Sequence, residues 1–359
     1  MGEVEIRYKG KLIRKVDENT KSLSLNNALK LGYNWMKAIR YDDYEKYAPD
    51  QELREYNERY ERAHPEGNNI QFLSGLDELH SLERLELENN LLSEINGLDN
   101  LRTLKQLNID DNNIEKLKGL ESLENLEILK LTHNKIRKIE GLEKLTNLKT
   151  LWLSYNEIRE MRGLENLERL EVLFISNTKI KTINGLEKCK KLKSLAIGDE
   201  IEHITGLGEL RELEYLYLEN NKIEKIEGLE NLSDLKILHL ENNKIKEISG
   251  LDYLANLEKL NLSNNLITEI TGLGSLANLQ ELDLSFNKIE NISGLDSLTN
   301  LRKLNLKKNM IKEISGLEYL KSIKKIELHS NPLINKSWAS TGKHHPLFLV
   351  RYCRDKRDS

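Results

Sequence analysis

The residues best suited to bind another molecule are a group of large side chains near the middle of the sequence. They are Trp152, Tyr155, Phe174, Tyr215, Tyr217, Ile237 and His239. Aromatic residues bury much area at a small entropic cost, and Trp and Tyr are enriched at the energetic centres of protein interfaces. The chemistry that they predict is noncovalent recognition of a partner protein. The alternative is that large residues on a sheet only shield backbone hydrogen bonds, as we expect for Phe286.

Other residues superficially suggest catalytic or metal chemistry. Gly206–Gly208 and Gly272–Gly274 lack the third glycine and the surrounding βαβ unit of a dinucleotide loop. Cys189 occupies a position where comparable segments have Leu, which indicates a small buried hydrophobe. His344 and His345 are adjacent and therefore point apart, with no further Cys or His pair nearby to complete a metal site. We therefore predict no enzyme activity, no catalytic residue, no metal and no cofactor.

A repeat must position the central residues. A Gly-Leu pair recurs every 22 residues, with one interval of 21, at Gly75, Gly97, Gly119, Gly141, Gly163, Gly185, Gly206, Gly228, Gly250, Gly272, Gly294 and Gly316. Apolar residues follow each glycine at offsets 1, 4 and 7, the spacing of a helical turn, and at offsets 10 and 12, the spacing of a strand. Such a short unit cannot bury its apolar edge alone and must stack on its neighbours. The prediction is an α/β solenoid, a curved horseshoe with a parallel concave sheet of about twelve coils, capped at both ends.

Asparagine occupies offset 15 in ten of the twelve coils. A buried amide that both donates and accepts can satisfy backbone groups where the chain leaves a strand. We predict a structural ladder formed by Asn90, Asn112, Asn134, Asn156, Asn221, Asn243, Asn265, Asn287, Asn309 and Asn331. Thr178 interrupts it in coil five, and coil six lacks one residue, so we expect the curvature to change there.

The strand pattern places the central residues on one surface. Offsets 9, 11 and 13 face away from the buried leucines, and they carry Trp152, Phe174, Tyr215, Tyr217 and His239. Strands lie about 4.8 Å apart, so five coils span roughly 20 Å, which suits a helix or loop of a protein better than a small ligand. We therefore expect a protein partner and no small-molecule substrate.

The repeat resembles the 22-residue class of leucine-rich repeats. One copy reads Leu279-x-x-Leu282-x-Leu284-x-x-Asn287-x-Ile289-x-x-Ile292-x-Gly294-Leu295. That class includes a regulatory subunit of protein phosphatase 1, which is intracellular, and the internalins of bacteria, which are secreted or surface proteins. The resemblance implies a horseshoe fold and a function in protein binding.

The resemblance divides the chain into three parts. Residues 1–74 would form an N-terminal cap or a small second interaction domain, 75–337 twelve repeats, and 338–359 a C-terminal cap with a basic tail. In the first part we predict a hairpin over residues 4–16, a helix carrying Leu25 to Ile39, and a second helix after Asp50; five tyrosines lie between Tyr41 and Tyr60. At the other end the apolar residues from Pro346 to Tyr352 would fold back over the last coil.

Bulk properties complete the prediction. The formal charge of −4 gives no general argument for nucleic acid, and no apolar run approaches the length of a membrane span. The N-terminus lacks the continuous apolar stretch of a secretory signal, which favours a cytoplasmic protein. We predict an intracellular scaffold or regulatory subunit that binds a protein on its concave face. The alternatives are an activity in the N-terminal region that the repeats target, or a nucleic-acid binder that uses lysines of the late coils such as Lys303 and Lys325.

Overall fold

The structure is a computed structural model of the 359-residue chain, and it describes residues 3–8, 11–17, 19–25, 75–333 and 346–358. Two sheets are present in this part of the chain. One is an antiparallel pair, and the other is a parallel sheet of thirteen strands in sequence order. The horseshoe predicted from the repeat is confirmed.

The strands are short, and most have three residues. Their bounds are β1 Glu3–Tyr8, β2 Lys11–Asp17, β3 Ser22–Ser24, β4 Arg84–Glu86, β5 Gln106–Asn108, β6 Ile128–Lys130, β7 Thr150–Trp152, β8 Val172–Ile175, β9 Ser194–Ile197, β10 Tyr215–Tyr217, β11 Ile237–His239, β12 Lys259–Asn261, β13 Glu281–Asp283, β14 Lys303–Asn305 and β15 Lys325–Glu327. Strands β4 to β15 supply one strand to each of the twelve coils. Their central residues are buried, and the residues on either side are at least partly exposed except in β9.

The remainder of each coil consists largely of turns. In coil eight Leu232 N–H donates to Leu229 O at 3.0 Å, and Leu235 N–H donates to Leu232 O at 3.1 Å. Two successive turns of this kind place the leucines at offsets 1, 4 and 7 in the core, as their spacing predicts. In the described part of the chain only Leu76–Glu78 is assigned as a 3₁₀ helix.

The Asn ladder performs the structural role predicted for it. The amide of Asn243 donates to the carbonyls of Leu218 at 2.9 Å, Leu240 at 3.0 Å and Glu241 at 3.3 Å. Its Oδ1 accepts the backbone N–H of Ile223 at 3.0 Å. Each buried amide thus joins its own turn to the preceding coil, and it fixes the spacing of adjacent coils.

The repeat glycines have positive φ angles. Gly228 has a φ of 70°, and a Cβ atom there would lie 2.4 Å from the carbonyl oxygen of Ile204 in the preceding coil. A side chain would therefore combine backbone strain with a steric clash against rigid backbone. The period of the glycines follows from this close approach between coils.

The parallel sheet begins before the repeats. Strand β3 pairs with β4, and both Leu23 and Leu25 belong to the continuous core. Asn90 donates to Leu25 O across 65 positions, whereas the equivalent bond of Asn243 spans 25, so this first turn contains 40 additional residues. The hairpin predicted over residues 4–16 is confirmed by the pairing of β1 with β2. The first predicted helix is wrong at Leu25, whose N–H donates to Glu86 O at 2.7 Å and so continues the parallel sheet. The rest of that helix, the second predicted helix and the tyrosines from Tyr41 to Tyr60 lie outside the described residues.

The C-terminal end is a helix, α1, which spans Pro346–Asp358. Leu349, Val350 and Cys353 are buried in the core cluster, and Tyr352 packs against it. Part of the predicted apolar stretch therefore does cover the core, but Leu347 and Phe348 are 55% and 57% exposed. A helix presents successive residues at about 100° intervals, so a continuous apolar run cannot all face the same way. His344 and His345 lie outside the described residues.

Coils five and six depart from the regular pattern. Strands β8 and β9 each have four residues, and their pairing extends to Ile175 and Ile197. The missing residue of coil six is compensated by Asn221, whose Oδ1 accepts N–H groups from both Asp199 and Ile201 at 3.0 Å. The sheet thus continues through the irregular coil, while the predicted change in curvature stays a prediction. Within the described helices, none is long and apolar enough to cross a membrane.

Candidate functional site

The sheet register aligns four of the seven predicted binding residues in one row. Trp152 pairs with Phe174, Phe174 with Ala196, Ala196 with Tyr217, and Tyr217 with His239. All except Ala196 are half-buried. We call Trp152, Phe174, Tyr217 and His239 the aromatic row. Tyr215 and Ile237 pair with each other in a parallel row two residues earlier on the same strands.

The rings of the aromatic row touch in two groups. Trp152 and Phe174 stack with centroids 5.8 Å apart and planes 21° apart, and Lys130 Nζ lies 3.9 Å from the Trp152 ring centroid. Tyr217 and His239 meet edge to face at 5.2 Å. Ala196 separates the groups, because its side chain is too small to bridge them and is itself buried. These lateral contacts fix the orientation of the rings.

Tyr155 lies outside the row, at offset 14, where the chain leaves the strand. It has a φ of 58° and stacks on His133, the residue at the same offset one coil earlier, at 4.2 Å and 11°. Burial lowers the pKa of His133 to about 4, so its ring is neutral in this stack at neutral pH. Phe286 also occupies offset 14, and it is 40% exposed with Lys308 Nζ 4.4 Å from its ring.

A depression of about 730 Å³ extends from the middle of the concave face towards the late coils. Tyr155, Tyr217, Ile237 and His239 line it, whereas Trp152, Phe174 and Tyr215 do not. The structure therefore divides six of the seven predicted residues between the stacked Trp152–Phe174 pair and the depression, and Tyr215 belongs to neither. Two carboxylates that were not predicted from the sequence, Glu219 and Glu241, also line the depression. Their signal is an acidic residue at offset 13 in two consecutive coils.

Burial shifts the pKa of several ionisable side chains on the concave face. Burial and the neighbouring negative charge of Glu241 raise the pKa of Glu219 to about 7. In coil two, burial raises the pKa of Asp110 to about 7, although its Oδ1 accepts the Thr132 N–H at 2.6 Å. Burial opposes protonation of His239, but its contact with Glu241 and the charge of Glu219 raise its pKa overall.

The late lysines are less available than the sequence implies. Lys303 forms an ion pair with Glu281 at 2.6 Å, and Lys325 forms one with Glu327. In coil one, Arg84 contacts Glu86 in the same way at 2.6 Å. Pairing with carboxylates therefore reduces the positive charge that these side chains offer to a ligand.

The thiol of Cys189 is structural, as predicted. It is fully buried and donates weakly to Leu164 O at 3.7 Å. Burial, together with nearby carboxylates, raises its pKa to about 11, so the thiolate needed for nucleophilic attack is disfavoured. In the part of the chain that is described, no group of three or more His, Cys, Asp or Glu side chains could hold a metal ion.

Comparison with known proteins identifies the repeat. A family model described as leucine-rich repeats (2 copies) matches residues 102–144, 124–166, 146–187, 211–253 and 255–297. The interruption from 188 to 210 coincides with coil six, where one residue is missing. No curated protein gave a significant sequence match.

Several solved structures share the fold. An internalin of Listeria monocytogenes is 28% identical with a TM-score of 0.70, and the alignment covers 79% of this chain and 82% of the internalin. A leucine-rich-repeat protein of Leptospira interrogans is 26% identical with a TM-score of 0.63, covering 80% and 81%. TLR13, solved as a complex with ssRNA13, is 25% identical with a TM-score of 0.67, covering 76% of this chain but 44% of TLR13.

Proposed function

Because this chain is a leucine-rich-repeat protein, we propose that it is a scaffold or regulatory subunit that docks a partner protein on the concave face of coils four to eight. The observation that carries the proposal is the aromatic row. Its rings are aligned by strand register and held by contacts between neighbouring coils. Rings that are already ordered lose little conformational freedom on binding, so more of the contact energy is retained as affinity.

The dimensions of the row suit a segment of protein. Trp152 and His239 lie four strand spacings apart, which is roughly 19 Å. This distance corresponds to about three turns of an α-helix. A helix or extended loop laid across the strands could contact both ring groups at once, with its smaller side chains over Ala196.

The charges on the concave face support nucleic-acid binding less well than protein binding. TLR13 was solved with RNA, but a phosphate-binding track requires available cations. Lys303 and Lys325, the lysines on which that alternative depends, are each paired with a carboxylate. The other alternative, an activity in the N-terminal region, concerns residues that lie mostly outside the described part of the chain.

The proposal keeps the intracellular location expected from the sequence. Cys189 and Cys353 are both buried thiols rather than disulfide partners, which is the state that a reducing compartment maintains. Labelling of the chain in its native cells, followed by fractionation, tests this part of the proposal separately from binding.

The docking proposal is tested with a purified partner. Affinity purification and mass spectrometry identify candidates, and calorimetry then compares wild type with Trp152→Ala and Phe174→Ala. We expect each variant to bind about 30-fold more weakly, the equivalent of about 2 kcal/mol for an interface hot spot. The matched control is Phe286→Ala, which truncates an exposed ring outside the aromatic row.

Two results would contradict the docking proposal. One is retention of partner affinity within two-fold by both Trp152→Ala and Phe174→Ala while circular dichroism reports a folded chain. The other is the capture of no specific partner, combined with chemical crosslinks from the aromatic row only to residues 1–74 of the same chain.

A further inference from the structure

Two neighbouring carboxylates at the centre of the concave face have incomplete hydrogen bonding. Glu219 and Glu241 occupy offset 13 of coils seven and eight, and both line the depression. The Oε2 atom of each is shielded from solvent and accepts no hydrogen bond in the structure as described. A buried carboxylate oxygen without a donor is costly, so this pair requires either a proton or a cation.

We infer that this part of the depression is a subsite for a cationic side chain, Arg or Lys, carried by the partner protein. The inference rests on the proposed function and adds the chemistry of the partner residue. A guanidinium group supplies several N–H donors in one plane and can therefore pair with both carboxylates, which line the depression. The side chains around the carboxylates also suit such a residue: Tyr217 offers an aromatic ring to the charge, and Ile237 offers an apolar surface to the alkyl stem.

The charges around the pair favour an added cation. Glu219 is faced by Glu241 and Asp199, both acidic, and by His239, while Lys259 adds one positive charge near His239. His239 Nδ1 contacts the Oε1 atom of Glu241 at 3.2 Å, so the Oε2 atom of that carboxylate is left to accept from another group. The carboxylates otherwise repel each other, which contributes to the raised pKa of Glu219. An incoming cation would offset that repulsion.

An organic cation fits the arrangement better than a metal ion. The described residues include no group of three or more His, Cys, Asp or Glu side chains able to surround one ion. The depression of about 730 Å³ is also much larger than a metal-binding site and accommodates a long side chain with its backbone. These features select Arg or Lys as the occupant.

The test uses the full chain labelled with ¹³C at isoleucine methyl groups. Titration with n-butylguanidinium should shift the Ile237 methyl signal, whereas n-butylurea, its neutral isostere, should not. The double variant Glu219→Gln with Glu241→Gln should bind n-butylguanidinium about ten-fold more weakly, because it loses charge-assisted hydrogen bonds. The control Glu247→Gln removes one exposed carboxylate elsewhere on coil eight and should keep the wild-type affinity.

The pH dependence of the affinity for n-butylguanidinium is a second test. Between pH 6 and 8 the affinity for n-butylguanidinium should rise, because Glu219, whose pKa is raised to about 7, loses a proton over this range and makes the subsite more negative. The double Gln variant should show a smaller dependence. Equal shifts with n-butylurea, unchanged affinity in the double variant, or a flat pH profile in the wild type would each overturn the inference.

The outcome is separable from that of the docking proposal. Failure of n-butylguanidinium to bind, with the partner still lost in Trp152→Ala, removes the cation subsite alone. Normal n-butylguanidinium binding, with the partner retained in both aromatic variants, removes the docking proposal and leaves a cation site.

Discussion

Replacing Asn243 with Ala tests the physical basis of the coil stacking. In the wild type its Oδ1 accepts the Ile223 N–H, and its amide donates to three carbonyls, those of Leu218, Leu240 and Glu241. The three carbonyls keep other donors after the substitution: Asn221 for Leu218, Asn265 for Leu240 and the Asn220 N–H for Glu241. The Ile223 N–H, in contrast, loses its acceptor, and none of these contacts supplies another.

The magnitude follows from this inventory. A buried N–H left without an acceptor costs roughly 1–3 kcal/mol, and each carbonyl that loses one of two donors adds about half of an ordinary net hydrogen bond of about 1 kcal/mol. We therefore expect Asn243→Ala to lower the free energy of unfolding by about 3 kcal/mol. The matched control is Asn242→Gly, one residue earlier, where the side chain is exposed and a φ of 57° suits glycine. Asn242→Gly should lower the free energy of unfolding by less than about 1 kcal/mol.

Urea unfolding followed by circular dichroism measures both variants, and hydrogen exchange measures the amide that is affected. The amide of Ile223 should exchange markedly faster in Asn243→Ala than in Asn242→Gly. Equal losses of stability in the two variants, or an unchanged exchange rate at Ile223, would refute the assignment of the ladder as the connection between coils.

Three further perturbations test other parts of the structure. Thr178→Asn should restore a ladder amide in coil five and raise the free energy of unfolding by about 1 kcal/mol in urea titrations; a loss would contradict the assignment of that position. Gly228→Ala should lower the free energy of unfolding by about 3 kcal/mol or more, because the added Cβ would lie 2.4 Å from the Ile204 carbonyl oxygen. In the control Gly274→Ala the added Cβ would have no atom within 4 Å, so the free energy of unfolding should hardly change. Because burial raises the pKa of Asp110 to about 7, the folded chain binds a proton there that the unfolded chain releases near pH 4. The stability that this bound proton adds is complete below about pH 4 and is lost as pH rises through 7. Asp110→Asn should therefore gain stability relative to wild type between pH 5 and pH 8. A constant difference in stability would be evidence against burial of this carboxyl.

The fold could be predicted because the same constraint is imposed once in every coil. Gly228 is required by its distance to the preceding coil, Asn243 by the backbone groups that it satisfies, and Leu238 by burial in the strand. Each constraint involves a residue and its equivalent one coil away, so it is visible as a period in the sequence. The conformation of the turns was less predictable, since a spacing of three residues suits both a 3₁₀ helix and a pair of successive turns.

The concave site could be predicted only in part. The alignment of Trp152 with Phe174 follows from the period, because equal offsets occupy equal positions in the sheet. Their stacking, and the separation of Phe174 from Tyr217 by Ala196, depend on side-chain geometry. The pairing of Lys303 with Glu281 likewise required coordinates, because an acidic and a basic residue in adjacent coils can either pair or remain solvated.

The position of the N-terminal insertion required the structure as well. The strand pattern of Ser22–Ser24 is too short to recognise without its parallel partner. The Gly-Leu pairs begin at Gly75, so their period places this strand in a cap, whereas its hydrogen bonds make it the first strand of the parallel sheet. The 40 additional residues thus interrupt a turn of the solenoid rather than precede the solenoid.

A separation of roles within each coil explains how a uniform scaffold can carry a specific site. The glycine, asparagine and leucine positions are fully used by contacts between coils, so changes there cost stability. Offsets 9 and 11 share the strand with those residues but contribute little to the core, so they can vary while the register holds their Cα atoms in fixed rows. Trp152 and Phe174 lie before the one shortened coil at such positions, and Tyr217 and His239 lie after it. Binding specificity in this chain is therefore expected to respond to substitution at these offsets without a matching change in the free energy of unfolding, which is the behaviour that the Trp152→Ala and Phe174→Ala experiments examine.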